Sequence, residues 1–462
     1  MSVRNLESYH DVEVVVLGAG PAGLSASLAA IEGKKRVLLI DQGSSHDNYF
    51  STDEINPLHQ AVGGIGGTAK AWGGQCGTFS EIDEQNWLSC ISDKTFAEIE
   101  AGISRIASIL KIPLKRHNIY PNLDSKLRAS LKSSDSFGVA HTVYPNSLDF
   151  REIFSELFSS ENFVYVEAYV SSMYVDDKLK TTRLNLADGR TLGVETKSVI
   201  VALGTIATTR LLKQSFSSIL EVKESPLDHP QAYVMEIQGR IPSFYRKRIY
   251  FKSKRSSFKR KITYSEGKRQ CVFELHSEIG SLRQLLKPKN FHKESFFLVV
   301  NYFVNYLGLK ILRRTITSKC RNRIWIQSDQ WHIESRVNSK NGTQHLGWSI
   351  DSETLKFIKK SAEKYSDVLK LIGFQGIKLY SEEKILESIT HSFHPSSTLE
   401  LKGSTSGQLV NQFGRISAES NLVIASSAIF PYSGWINPTL QIMGFSYSAT
   451  KAITLGHLLD SQ

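Results

Sequence analysis

The first hydrophobic feature is a Val-rich run from Val12 to Leu17, which gives way at once to Gly18, Ala19, Gly20, Pro21, Ala22 and Gly23. A short run of β-branched residues suits a strand buried on both faces, as in a parallel sheet. Beyond Gly23 the chain stays apolar to about Ile31, enough for a helix, and a second run, Arg36 to Ile40, ends at Asp41. The predicted order is strand, glycine turn, helix, strand, acid. Gly18 permits the tight turn, Gly20 lets backbone approach a pyrophosphate, and Gly23 lets helix and strand pack closely. The helix N-terminus offers N–H groups to phosphate, and Asp41 is spaced to accept from ribose hydroxyls. An unmodified ribose suits that carboxylate better than a 2'-phosphate, and this unit alone leaves NAD and FAD both open.

Two later patterns extend the picture. Lys197 to Leu203, followed by Gly204, reads as another buried strand entering a glycine turn, after a hairpin that turns at Asp188 and Gly189. Gly63, Gly64, Gly66, Gly67, Gly73, Gly74 and Gly77 crowd the segment around Thr68 and Trp72, where regular helix is unfavourable and backbone can lie against a flat ligand.

Composition narrows the class. The 462 residues suffice for two or three domains, and 41% hydrophobic with 22% charged residues at a mean hydropathy of -0.21 excludes a disordered chain and a polytopic membrane protein. Lys and Arg at 56 against 45 acids give +11, a balance that favours acidic partners such as nucleic acid, anionic lipid or phosphorylated substrates. Much of the excess sits between Arg240 and Arg323, including Arg246 to Arg248 and Lys259 to Lys261, interleaved with Tyr250, Phe251 and Phe258. An exposed antiparallel strand shows the same alternation, so nucleic acid is not expected. Phe296 to Leu312 is apolar but broken by Asn301, Asn305 and Lys310, which argues against a membrane span. With the cations that follow, it offers a peripheral contact to an anionic membrane, and the same charge offers a seat to a nucleotide- or lipid-linked substrate. Cys76, Cys90, Cys271 and Cys320 are scattered, with no CxxC pair, so neither a metal site nor a disulfide framework is expected. The N-terminus lacks the order of a secretory signal, so a cytoplasmic protein is expected.

Four stretches carry a family resemblance: VVVLGAGPAGLSAS with Asp41; GGIGGTAKAWGGQCG from Gly63; VIVALGTIATTRLLKQS from Val199, with LDHP at Leu227 to Pro230; and NLVIASSAIFPYSGWINPTLQIMGFSYSATKAI from Asn421. In order and spacing the chain resembles the glucose-methanol-choline (GMC) family of FAD-dependent oxidoreductases, most closely its sugar-oxidising and sugar-dehydrogenating branch. Ile241 to Ser381 matches only loosely. The resemblance implies an α/β architecture, with a discontinuous Rossmann-like FAD domain (1–90, 160–230 and 395–462) and an α+β substrate domain carrying an antiparallel sheet (231–394). Residues 91–159, with a helix-like stretch from Phe96 to Leu110, would form a cap or connecting segment over the flavin. The implied cofactor contacts are Gly18, Gly20, Pro21, Ala22, Gly23, Asp41, Gly66, Gly67, Thr68, Trp72, Gly73, Gly74, Val170, Ala202, Gly204, Ser426, Pro438 and Thr439. Ala71 stands where several relatives carry a His joined to the flavin, which implies noncovalent FAD, and Ser426 stands where the family carries an acid.

Oxidising an alcohol as a hydride needs a base for the hydroxyl proton, an acceptor close to the carbon, and a dipole that restrains the oxygen. The resemblance assigns the base to His394, before Pro395, and the dipole to Asn437, before Pro438. The family continues that His with a Gly-Thr pair where this chain reads Ser397 and Thr398, so a different loop conformation is expected. His391, about one turn earlier, competes for the role. His229 is expected to be architectural and His46 exposed. The leading expectation is an FAD-dependent alcohol or sugar dehydrogenase or oxidase. The alternatives are a non-redox lyase or isomerase on the same scaffold, or a flavin-binding subunit without turnover.

Overall fold

The computed structural model describes residues 11–43, 62–71, 74–114, 136–176, 181–193, 196, 198–216, 226–239, 241, 250–252, 257–277, 322–331, 339–340, 343–344, 350–392, 394–399, 401, 410–417 and 420–455. The Val-rich run forms the fully buried strand Val14–Leu17 at the centre of a parallel sheet of five strands among the described residues. Val37–Asp41 and Phe163–Glu167 follow on one side, Ser198–Val201 and Leu422–Ile424 on the other. Strand order reverses between Val14–Leu17 and Ser198–Val201, and a crevice at the carboxyl ends of such a pair is where open α/β sheets bind ligands. The predicted hairpin joins Thr181–Leu186 to Thr191–Gly193.

The helices Pro21–Glu32 and Thr439–Thr454 pack together beside this sheet, and Asp93–Ile109 packs on the latter. That crossing is backbone to backbone. A Cβ on Gly102 would stand 2.4 Å from the Gly444 carbonyl oxygen, and one on Gly444 would stand 2.7 Å from the Ile103 nitrogen. The fold therefore divides the expected cap. Asp93–Ile109 uses its apolar face against Thr439–Thr454 and does not line the cavity described below, whereas Phe137–Tyr144 joins a second sheet.

The second sheet is antiparallel, in the order Tyr250–Lys252, Ser257–Glu266, Arg269–Ser277, Asn322–Ser328, Pro230–Ile237, Ile377–Leu379, with Phe137–Tyr144 and Thr390–His391 attached beside this path. Side chains alternate with period two. Ile262, Tyr264, Phe273, Ile324 and Ile326 face one way and pack on the helix Ser352–Leu371 through Phe357, Ile358 and Tyr365. Lys261, Glu274, His276, Trp325 and Gln327 take the alternate positions, on the face turned to the first sheet. Of the cationic run at 259–261, read from sequence as part of an exposed strand, Lys261 is 2% exposed and paired with Glu274 at 2.6 Å.

Cys76, Cys90 and Cys271 are free thiols, and Cys320 lies outside the described residues. No helix among the described residues is long and apolar enough to cross a membrane. His46, Arg246 to Arg248 and the Phe296 to Leu312 run also lie outside the described residues.

Candidate active site

A cavity of about 660 Å³ runs from the first glycine turn to the polar face of the second sheet. Gly18, Gly20, Pro21, Ala22 and Asp41 line one end, Gly67, Thr68, Val170, Ala202 and Gly204 its walls, and Ser426, Pro438 and Thr439 continue toward His394 and Asn437. Gly23, Gly66 and Gly74 sit behind this lining for steric reasons. A Cβ on Gly23 would stand 1.7 Å from the Gly18 carbonyl oxygen, one on Gly66 3.0 Å from the Phe150 ring, and one on Gly74 2.9 Å from Leu148. Trp72 and Gly73 lie outside the described residues.

The turn is built for a dinucleotide. Gly18 takes φ 102°, which an L side chain rarely adopts, whereas a Cβ on Gly20 or Gly204 would meet nothing within 4 Å and would enter the cavity. The Pro21–Glu32 helix has no side-chain cap at Gly20, which leaves its first N–H groups for an anion. Asp41 is 7% exposed; its Oδ2 accepts from Ala19 N–H at 2.7 Å, and its Oδ1 from Gly43 and Gly64 N–H at 2.9 and 2.5 Å. The carboxylate thus fastens the glycine turn to the second glycine-rich loop, and with about four lone-pair sites it keeps acceptor capacity toward the cavity. Lys70 donates to the Gly63 carbonyl and closes the same loop. These features fit FAD: glycines open to the cavity, an uncapped helix start and a buried carboxylate.

At the opposite end, Asp228 organises the catalytic candidate. Its carboxylate accepts from His229 N–H at 2.6 Å, Ser392 Oγ at 2.6 Å, Ser392 N–H at 3.3 Å and His394 N–H at 3.0 Å. Despite the cost of burial, His391, His229, His394 and Ser392 hold it down at about 2. His229 Nδ1 lies 2.8 Å from the Ser433 carbonyl oxygen and must donate there, and its Nε2 is buried without a partner among the described residues. Asp228, His229 and His394 each bring one ligand-type atom within 4.8 Å of the others. The donors already on the carboxylate make that group an anchor for the 392–394 loop. His391 stands 3.6 Å from Asp228 and does not line the cavity, unlike His394. Burial, helped by His229 and Lys261, pushes the His394 imidazole down to about 3, so it is neutral at ordinary pH.

The loop after His394 keeps a glycine-like turn. Ser397 takes φ 63°, a conformation that costs a non-glycine residue about 1–2 kcal/mol. Its N–H donates to Ser427 at 3.0 Å and its hydroxyl to the Phe430 carbonyl at 2.5 Å, which offsets that cost. Thr205 and Thr209 tie the same loop to the FAD side through Pro395 and Thr398. Ser426, in the family's acidic position, lines the cavity while its hydroxyl accepts from Ala428 N–H at 3.2 Å. Asn437 precedes the Thr439–Thr454 helix, whose start at Pro438 carries no side-chain cap, and its amide has no partner among the described residues.

Sequence reasoning missed the far wall, formed by Gln231, Glu274, His276, Trp325 and Gln327. Gln327 donates to the Trp435 carbonyl at 2.6 Å, and Gln231 donates to Gln327 at 3.0 Å, which leaves the Gln231 carbonyl as an acceptor. The alternation Val272, Glu274, His276 was the available signal, but which face meets the flavin side depends on tertiary packing.

A family profile described as FAD binding domain matches residues 13–50. Comparison of the sequence with curated proteins gives no match. Among solved structures, pyridoxine 4-oxidase from Mesorbium loti is similar at a TM-score of 0.56 and 11% identity, covering 95% of this chain and 98% of that one. Formate oxidase is similar at a TM-score of 0.55 and 12% identity, covering 96% and 98%. With the parallel sheet, the glycine turn and the second antiparallel sheet, these likenesses show that the chain has the fold of those two oxidases, with an N-terminal segment that matches an FAD binding domain.

Proposed function

We propose that the protein is an FAD-dependent oxidoreductase that oxidises a CH–OH group of a neutral, hydroxyl-bearing substrate, an alcohol or sugar. The observation that carries this reading is that a neutral imidazole, His394, and an amide without a partner among the described residues, Asn437, line one cavity with the dinucleotide turn. FAD, when bound, supplies the hydride acceptor. His394 accepts the hydroxyl proton, and the imidazolium so formed is stabilised by the Asp228 carboxylate beside it. Asn437 donates to the substrate oxygen as negative charge grows there, and the uncapped start of Thr439–Thr454 adds the positive end of a helix dipole. Glu274 and the Gln231 carbonyl accept hydrogen bonds from the other hydroxyls of the substrate. Lys261 neutralises Glu274, so this wall favours uncharged polyols over cations.

The test is anaerobic mixing of FAD-loaded protein with a panel of alcohols and free sugars, followed by flavin absorbance. His394→Ala and Asn437→Ala proteins keep their flavin and reduce it about 10²–10⁴ times more slowly. Unchanged reduction rates refute both assignments.

A further inference from the structure

We propose that Asp228 and Ser392 act as a relay that fixes the tautomer of His394, so that Nδ1 carries the proton and Nε2 is the nitrogen left to accept one. This rests on the assignment of His394 as base. Ser392 Oγ lies 2.6 Å from Asp228 Oδ1 and 2.9 Å from His394 Nδ1. Asp228 already receives N–H groups from His229, Ser392 and His394, so it is ionised and accepts only. The one hydroxyl proton of Ser392 therefore goes to Asp228, and Ser392 Oγ can only accept from His394. The imidazole must present Nδ1–H to it, which leaves the Nε2 lone pair as the base.

The rest of the site supports this direction. His394 and Ser392 both line the cavity, and Ser392, 8% exposed, is held there between Asp228 and the His394 ring. The charged and titratable groups around the ring are Asp228, His229 and Lys261. His229 presents a ring at 5.3 Å to His394, edge-on, and uses its Nδ1–H on the Ser433 carbonyl, so it does not compete for His394 Nδ1. Asp228 lies behind the cavity lining, and Ser392, at its edge, acts in this scheme through His394, so both are positioning residues.

The test is nitrogen NMR of the FAD-loaded protein labelled at histidine, with the His394 signals assigned by their loss in His394→Gln, alongside anaerobic flavin reduction. The wild type shows protonated Nδ1 and bare Nε2 at His394. Ser392→Ala gives mixed tautomers and reduces flavin roughly 10–100 times more slowly with KM little changed, a loss of about 1.4–2.8 kcal/mol in transition-state stabilisation. Ser392→Thr, which keeps the hydroxyl, retains the Nδ1–H tautomer. Protonated Nε2 in the wild type, or an unchanged tautomer in Ser392→Ala, overturns the relay. If the tautomer shifts as described while His394→Gln still reduces flavin at the wild-type rate, the relay stands and the assignment of His394 as base falls.

Discussion

Asp329 offers a sharp test of how the two sheets are fastened. It is 1% exposed, and its Oδ2 accepts from Gln270 N–H at 2.8 Å and from Trp331 Nε1–H at 3.0 Å. Burial, with the Asp83 charge adding and Arg269 opposing, pushes it from 3.8 up to about 7. The sign follows from proton counting. Between those two values the native state holds a proton that the unfolded chain has released, so stability falls as pH rises; the contribution is complete below 3.8 and lost above about 7. A shift of about three units corresponds to about 4 kcal/mol. Asp329→Asn is nearly isosteric, its single oxygen can serve both donors on Oδ2, and it never ionises. Urea unfolding of both proteins from about pH 4 to about pH 9 should therefore give curves that nearly coincide at acid pH and diverge as pH rises, with the variant more stable by up to about 4 kcal/mol at the alkaline end. Asp228 and every other titrating group are common to both and cancel in the difference. Parallel curves, or a variant weaker at alkaline pH, would show that Asp329 does not hold a proton in the native state. The site is bound up with the result, because Trp331 stacks on Tyr432 at 4.7 Å and Ser433 donates to the Asp228 carbonyl at 3.1 Å, on the segment that leads to Asn437.

Three further outcomes are expected. Gly102→Ala, whose Cβ would stand 2.4 Å from the Gly444 carbonyl oxygen, should force the Asp93–Ile109 and Thr439–Thr454 helices apart and cost about 1–3 kcal/mol in thermal or urea unfolding, whereas Gly189→Ala, at an exposed turn with nothing within 4 Å, should lose only its backbone preference of about 1–2 kcal/mol. The rate of flavin reduction should stay level through the ordinary histidine range near 6.5 and decline only toward about 3, because neutral His394 is the active form; an acid limb centred near 6.5 would contradict the assignment. Glu274→Leu leaves Lys261 buried without its partner and should cost about 3–5 kcal/mol in stability, and Lys261→Met with Glu274→Leu should recover the stability without recovering the KM for a hydroxylated substrate.

The parts of this molecule that were legible in the sequence are those whose chemistry is local. Gly18, Gly20 and Gly23 have steric duties within one turn, and the Val-rich run states its burial directly, so strand, turn, helix and Asp41 could be placed by spacing. His394 and Asn437 each sit beside a proline in a recognisable stretch, and the fold brings both to one cavity. What stayed hidden depends on neighbours distant in sequence. Lys261 looks like one more surface cation until the strand Arg269–Ser277 sets Glu274 beside it. Asp228 lies 164 residues before Ser392 and binds it at 2.6 Å, a pairing no local pattern announces. Ser397 breaks the expected Gly-Thr wording yet takes the backbone a glycine would, because hydrogen bonds to Ser427 and Phe430 hold it there.

The most direct test of the central claim is the visible spectrum of the FAD-loaded wild-type protein, recorded without oxygen as neutral alcohols and sugars are added. Flavin absorbance should bleach with a hydroxylated substrate, and more slowly when the carbinol hydrogen is replaced by deuterium. Flavin that stays oxidised with every substrate offered, or substrate consumed with no bleaching, would contradict it.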